Sequence, residues 1–440
     1  MLLYIGLTVT LAAIVSLSIW SGTRTKTGGK IGTPVVAGLI MGTLVGGSST
    51  VGTAQLAYNY GMSAWWFTLG AGLACLVLAL VYAKPLRRAG CPTLVGILAK
   101  EYGPATGMLA SVLSAVGTFI NIISQLISAT AVIAVVAPTL GTEIAVAISV
   151  VFMILYVIFG GTKGTGMVGI VKMVLLYVSV LACGILVLDL VDGNVGAMVN
   201  EPKLFSLFAR GIGTDGGACL SLILGVLTTQ TYAQAVLSAK SDAAGVRGAL
   251  ISAFLIPPIG IGGILVGLYM RSHAALYTGL TAKTALTTFV TAHMHPVLAG
   301  VILGALFIAV VGTGAGLALG ISAVINNNIC KGKKRTKLWI VLVLVAAGCL
   351  SCGALGDTIL QFAFMSMGLR GAVIFAPLLC ALWLPGRVRA KYATAAVIAG
   401  PATVLVFGLW KILPFDSLFA GIGVALLIMI VGLLQKKPTA

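Results

Sequence analysis

Apolar runs recur from one end of this chain to the other, each long enough at about 20 residues to cross a bilayer. Thirteen are counted, over about 2–20, 33–60, 63–83, 105–138, 142–161, 165–191, 215–238, 248–270, 297–329, 338–356, 358–385, 392–412 and 417–435. Inside lipid every backbone N–H and C=O needs a partner within the protein, so only helices or closed barrels span. Runs of this length select helices. With 59% hydrophobic and 8% charged residues, and connections too short for a soluble domain, the chain is predicted to be an all-α integral membrane protein.

The formal charge of +18 would suit nucleic acid, but its distribution argues otherwise. With the N-terminus outside, 20 Lys and Arg fall on the cytoplasmic side and 5 outside, namely Lys203, Arg210, Arg271, Lys283 and Lys411. That is the positive-inside bias. Seven of the nine carboxylates, Glu143, Asp189, Asp192, Glu201, Asp215, Asp357 and Asp416, fall outside or at outer helix ends. The basic excess therefore reads as topology and contact with anionic lipid. The expectation is a multi-pass protein of the inner (plasma) membrane, N-terminus outside and C-terminus cytoplasmic. Residues 2–20 lack a basic n-region and a small-residue cleavage site, so they read as a retained first helix.

Two Lys and Arg cannot be placed in loops or at helix ends: Lys172 and Arg370. A charge at membrane depth is costly and by default marks function. The bland alternatives are that Lys172 snorkels to the cytoplasmic face, and that Arg370 only bonds loosened backbone.

Two apolar spans carry polar or Gly-rich interruptions: Gly46-Gly47-Ser48-Ser49-Thr50, and Gly225 followed by Thr228-Thr229-Gln230-Thr231. They open successive groups of five helices, 33–192 and 215–385, flanked by an N-terminal helix and loop (1–32), an external loop (193–214) and two C-terminal helices (386–440). Five is odd, so the second group is inverted relative to the first. Interrupted helices at corresponding places in inverted halves point to a transporter site near the midplane. The alternative is close helix packing on small residues.

Other polar features are weaker. Leu280 to His293 forms an amphipathic stretch in the loop 271–296. His293-x-His295 has no third ligand nearby and reads as loop polarity. Cys349 and Cys352 form a CxxC inside an apolar span, where two small packed residues are the simpler account. No nucleophile–base pair, metal cluster or phosphate loop stands out, so an enzyme is not expected.

Several stretches in order resemble the solute:sodium symporter family, whose inverted-repeat fold is shared with LeuT. They are Gly52-Thr-Ala-Gln-Leu-Ala-Tyr58 to Trp66, Lys84-Pro85-Leu86-Arg87, Gln230-Thr-Tyr-Ala-Gln234 to Ala239-Lys240-Ser241, Ile256-Pro257-Pro258-Ile259-Gly260 and Ala309-Val-Val-Gly312-Thr313. The resemblance covers about 33–391. It implies one helix before a ten-helix core, two after it, and secondary transport of a small organic solute by alternating access, with the monomer as functional unit. It also implies a sodium site between the first and eighth core helices, here the carbonyls of Gly42, Val45 and Ala309 and the hydroxyl of Thr313. Oxygen donors suit a hard cation.

The chain departs from the family twice at that site. The usual Ala-x-x-Ser-Ser or Ala-x-x-Ser-Thr has Gly312 at its first serine. Many relatives carry Asp and then Gln, three apart, on the fifth core helix. After Gly160-Gly161 this chain has Gly169 and Lys172 there. In some sodium-independent transporters of the amino acid–polyamine–cation group, which share the fold, a lysine on that helix reaches into the sodium site. Lys172 is expected to do likewise, lying in or beside the sodium position near Thr313. The alternative to sodium coupling is thus a sodium-independent or proton-linked carrier. A further alternative is a transport-inactive sensor, against which stands the short tail Lys436 to Ala440.

Sugar-transporting relatives place aromatic and amide residues on the sixth core helix where this chain has Leu222, Gly225 and Val226, so a sugar is not expected. The candidate solute contacts are Ser48, Ser49, Gln125, Thr229, Gln230 and Arg370. A guanidinium favours bidentate contact with carboxylate, so the solute class expected is a carboxylate or amino-acid-like compound. No cofactor is expected beyond Na+ itself.

Overall fold

The computed structural model describes residues 1–24, 30–199, 201–326, 336–353, 359–410 and 416–435; side chains at 15, 17–24, 158–168, 197, 353 and 409 are also outside the description. Its described residues form helices and turns, with one isolated bridge between Ile31 and Ala239. In chain order the helices are α1 (Leu2–Arg24), α2 (Thr33–Leu44), α3 (Val51–Tyr60), α4 (Trp66–Val77), α5 (Ala83–Arg88), α6 (Leu94–Tyr102), α7 (Pro104–Val136) and α8 (Thr142–Leu190). The second half comprises α9 (Ile212–Thr228), α10 (Gln230–Leu237), α11 (Asp242–Ser272), α12 (Ala285–His293), α13 (Pro296–Val324), α14 (Thr336–Gly353), α15 (Ile359–Trp383), α16 (Ala390–Trp410) and α17 (Ser417–Leu434).

Among the described residues eight helical stretches are long and apolar enough to cross a membrane, or nine if the bent pair α9 and α10 is one span. Four shorter apolar helices, Leu2–Ile14, Thr33–Leu44, Thr142–Val157 and Thr336–Cys352, fall within the remaining expected spans. Two expected helices, 142–161 and 165–191, are a single helical element, α8, of 49 residues. That run contains glycines but no proline, and glycine only weakens a helix where proline breaks one.

The core is built around α2, α7, α8, α13 and α15. α2 packs on α8 and α13, α7 on α13 and α15, and α9 on α15, while α1 lies against α13 and α8. Small residues make the crossings close. A Cβ added at Gly42 would stand 2.9 Å from Gly169 Cα, and one added at Gly169 would stand 2.4 Å from the Gly38 carbonyl oxygen. α2 and α8 therefore touch backbone to backbone, which only glycine permits. α12, with a short turn at Ala282–Thr284 before it, covers the stretch expected to be amphipathic.

Candidate functional site

α2 ends at Leu44 and helix resumes at Val51, leaving 45–50 unwound. An ended helix leaves carbonyls without N–H partners. Gly46 N, which an uninterrupted helix would aim at the Gly42 carbonyl, donates instead to Ser49 Oγ at 2.8 Å. Gly47 N donates to Gln125 Oε1 at 2.9 Å, and the Gln125 amide donates to Ser48 Oγ at 3.0 Å. Ser48 also meets Ser124 Oγ at 3.0 Å, and Thr50 Oγ1 donates to the Gly46 carbonyl at 2.8 Å. Ser48, Ser49 and Gln125 thus come together, with Ser49 and Gln125 Oε1 engaged by the loosened backbone and Ser48 by the side chains of Ser124 and Gln125.

The freed Gly42 carbonyl accepts a hydrogen bond from Lys172 Nζ. The same ammonium donates to the Ala309 carbonyl at 3.1 Å and to Thr313 Oγ1 at 3.2 Å, and Thr313 Oγ1 donates to the Val45 carbonyl at 3.3 Å. Lys172 is 1% exposed. It neither snorkels nor faces lipid; it stands inside the ring of oxygens named as the cation site. The chain's own substitutions make room for it. A Cβ on Gly312 would lie 3.3 Å from the Tyr156 hydroxyl and 3.5 Å from Lys172 Nζ. An aspartate at 169 would drive its Cβ into the Gly38 carbonyl.

The second break is narrower than expected. Helix continues through Gly225 to Thr228, and only Thr229 is extended, with φ −89° and ψ 122°. The axes of α9 and α10 diverge by 49°. The threonines explain both facts: Thr228 Oγ1 back-bonds to the Leu224 carbonyl at 2.6 Å, and Thr229 Oγ1 to that of Gly225. Such bonds hold the α9 end and bend it.

Arg370 on α15 is fully buried. Its Nε donates to the Ser366 carbonyl at 3.1 Å and its Nη1 to Thr229 Oγ1 at 2.8 Å, while Nη2 has no partner among the described residues. Its stem fills the space left by Gly117 on α7, where an added Cβ would stand 2.7 Å from Arg370 Cγ.

Gln230 turns elsewhere. Its Oε1 accepts from Leu94 N at 2.9 Å and its Nε2 donates to the Pro92 carbonyl at 3.2 Å. At the other end of α10, Arg87 reaches Asp242 at 2.6 Å and the carbonyls of Val236 and Ala239 at 3.2 and 2.5 Å. Ile31 N donates to the Ser238 carbonyl at 2.9 Å, and Lys240 N to that of Ile31 at 2.8 Å. Gln230 is a strut for α10, and its amide is engaged before any solute arrives. Thr231, not among the expected contacts, has a buried hydroxyl with no partner among the described residues, and it lines a small cavity with Thr229. No group of three or more His, Cys, Asp or Glu able to hold a metal occurs among the described residues.

A family model described as the sodium:solute symporter family matches residues 26–400. The chain belongs to that family. It is 25% identical over 413 residues to the high affinity choline transporter 1 of Homo sapiens, covering 85% of this chain and 71% of that protein. It is 31% identical over 207 residues to the uncharacterized symporter YwcA of Bacillus subtilis, over 43% of this chain; the match spans only 39% of the Bacillus protein. Among solved structures, a substrate-bound outward-open Na+-coupled sialic acid symporter aligns with a TM-score of 0.80 at 18% identity, covering all of this chain and 98% of that one. A manganese transporter of Eremococcus coleocola aligns more distantly, with a TM-score of 0.57 at 14% identity. The fold is therefore the LeuT-like symporter fold, and the family is one of multi-pass transporters rather than enzymes.

Proposed function

We propose that this chain is a secondary transporter that moves a small carboxylate or amino-acid-like solute by alternating access, with the Lys172 ammonium standing where relatives bind sodium. The observation that carries this reading is the set of three hydrogen bonds from Lys172 Nζ to Gly42, Ala309 and Thr313. Those oxygens join the first broken helix to α13. A tethered cation bridges the two elements as a sodium ion would, but cannot be released to the cytoplasm. The chemistry follows from charge and donor count. The hard oxygens that would replace the hydration shell of Na+ are already occupied by N–H donors. A free cation entering the ring would meet a fixed one.

Under this reading the solute lies between the two breaks, with Arg370 and Thr229 on one side and Ser48, Ser49 and Gln125 on the other. The chain is sodium-independent, or exchanges a proton at Lys172 in place of sodium. Reconstituted proteoliposomes test it. Uptake of labelled carboxylates and amino acids is expected to persist when external Na+ is replaced by K+ at constant ionic strength. Steep sodium dependence of the unmodified protein refutes the role of Lys172 and leaves ordinary sodium symport.

A further inference from the structure

Three membrane-crossing stretches have their ends together on one face of the bundle. One closes at Arg88, one closes at Trp383, and a third opens at Pro104. Between them lies a cavity of about 470 Å³, bounded by the end of α5, by α6 and by the end of α15. Ligand sites run from roughly 300 to 1,000 Å³. The walls are of two kinds. Ile97, Leu382 and Trp383 give an apolar side, and Arg88, Lys100 and Glu101 a charged one. Trp383 is 40% exposed and meets Tyr82 edge to face at 4.9 Å. Leu80 and Val81, just before α5, are exposed as well. An exposed indole beside exposed aliphatics marks the level of the membrane–water interface.

The charges in the cavity do not cancel. Glu101 Oε1 accepts a hydrogen bond from Gly386 N, which ties α6 to the turn after α15. Lys100 Nζ donates to the Ala89 carbonyl at 3.2 Å, one bond for an ammonium with three N–H groups. Arg88 is exposed and makes no hydrogen bond or ion pair among the described residues. Its neighbour Arg87 turns the other way, to Asp242. The segments 83–102 and 384–391 that frame the cavity hold seven Lys and Arg against one carboxylate, Glu101. A basic pocket between helix ends, on the face that the positive-inside bias assigns to the cytoplasm, suits an anionic headgroup.

We propose that this cavity binds an anionic phospholipid, its phosphate held by the Arg88 guanidinium and the Lys100 ammonium and its chains passing Trp383 along Leu80 and Val81. A guanidinium meets two phosphate oxygens at once. A soluble phosphate would find the same charges but would leave the apolar wall in water. The site shares no residue with the oxygen ring around Lys172 or with Arg370, so it stands whatever the solute is. It does bear on α10. Arg87, next to Arg88, fastens the end of α10, and the turn between Arg88 and Lys100 carries Pro92 and Leu94, which fasten its start. A headgroup bridging Arg88 and Lys100 closes that turn and braces the mount of the half-helix.

The test uses the full chain purified in detergent, with melting temperature read at constant ionic strength against dioctanoyl phosphatidylglycerol, dioctanoyl phosphatidylcholine and inorganic phosphate. Phosphatidylglycerol is expected to stabilise the protein with saturation, and the other two are not. Arg88→Gln and Lys100→Gln are each expected to weaken that binding about tenfold or more, as loss of a hydrogen bond to a charged group does. Arg247→Gln removes the same charge from an exposed position on α11 outside the cavity, and is expected to change it less than about twofold, since diffuse attraction is screened by salt. Size-exclusion profiles report folding, and Arg88, which holds no part of the fold by hydrogen bond, is the safer of the two cavity variants. No saturable effect of phosphatidylglycerol overturns the site. Equal stabilisation by phosphatidylcholine overturns the role of the charges, and equal stabilisation by inorganic phosphate overturns the lipid as occupant. Equal loss in Arg88→Gln and Arg247→Gln reduces the effect to the basic face at large and overturns the cavity.

Discussion

Replacing Lys172 with Gln separates the tethered cation from the oxygen ring that holds it. A sodium ion in that ring would stand about 3 Å from the ammonium, where like charges repel by roughly 5 kcal/mol at an effective dielectric of 20. That is about four orders of magnitude in affinity. In Lys172→Gln the repulsion is gone, while the carbonyls of Gly42, Val45 and Ala309 and the Thr313 hydroxyl remain as hard donors. Two opposite effects are expected. In potassium chloride the variant is less stable than the parent by about 1–3 kcal/mol, because acceptors that shared the ammonium lose their donor. In sodium chloride at equal ionic strength the variant regains stability, by about 2.7 kcal/mol where sodium is a hundredfold above its dissociation constant. The parent shows no such gain. Thermal unfolding of both proteins in the two salts measures this directly. Equal sodium stabilisation of parent and variant refutes the reasoning, as does a variant that neither loses stability in potassium nor responds to sodium.

Three further outcomes are expected. Gly169→Ala places a Cβ against the Gly38 carbonyl, so α2 and α8 must separate; a loss of about 1–3 kcal/mol is expected from such overpacking, read as a lower melting temperature and refuted by wild-type stability. His293 accepts or donates a bond to the Tyr277 hydroxyl at 2.6 Å, and burial, then nearby His273, holds its imidazole below the ordinary histidine value of 6.5. The fold therefore favours neutral imidazole. This contribution is complete above about pH 6.5 and is lost as pH falls through the lowered value, so His293→Gln narrows the acid-side fall in melting temperature; an unchanged pH profile refutes it. Tags at the two termini are expected on opposite faces, the N-terminal one outside, and a protease-protected N-terminal tag on intact cells reverses the assigned orientation.

The membrane-crossing pattern and the first break were legible in the sequence because each rests on local chemistry: run length, and polar or glycine residues within an apolar run. The approach of Lys172 to Gly42, Ala309 and Thr313 was also legible, since missing ligands and a new cation fell on positions that share one site. The second break was not placed correctly. Gly225 looked like the weak point, yet hydroxyl back-bonding by Thr228 and Thr229 carries the helix past it to a single extended residue. Gln230 was read as a solute contact because polar residues at a break invite that reading. Its true partners, Pro92 and Leu94, are more than 130 positions away, and no local signal announces them. Thr231 was not among the expected contacts for the converse reason: a threonine in a run of threonines becomes distinctive only when its hydroxyl is found buried without a partner among the described residues.

The double anchoring of α10 fixes one side of the bend at Thr229. Gln230 fastens its start to the segment before α6, and Arg87 with Ile31 fastens its end. The half-helix is thus held at both of its ends, while α9 is held along its length by α15 and α4. Arg370 grips the residue at the hinge line rather than either arm. An occupant drawn to its free nitrogen stands beside the bend rather than at the far end of α9. That end carries the Arg210–Asp215 pair.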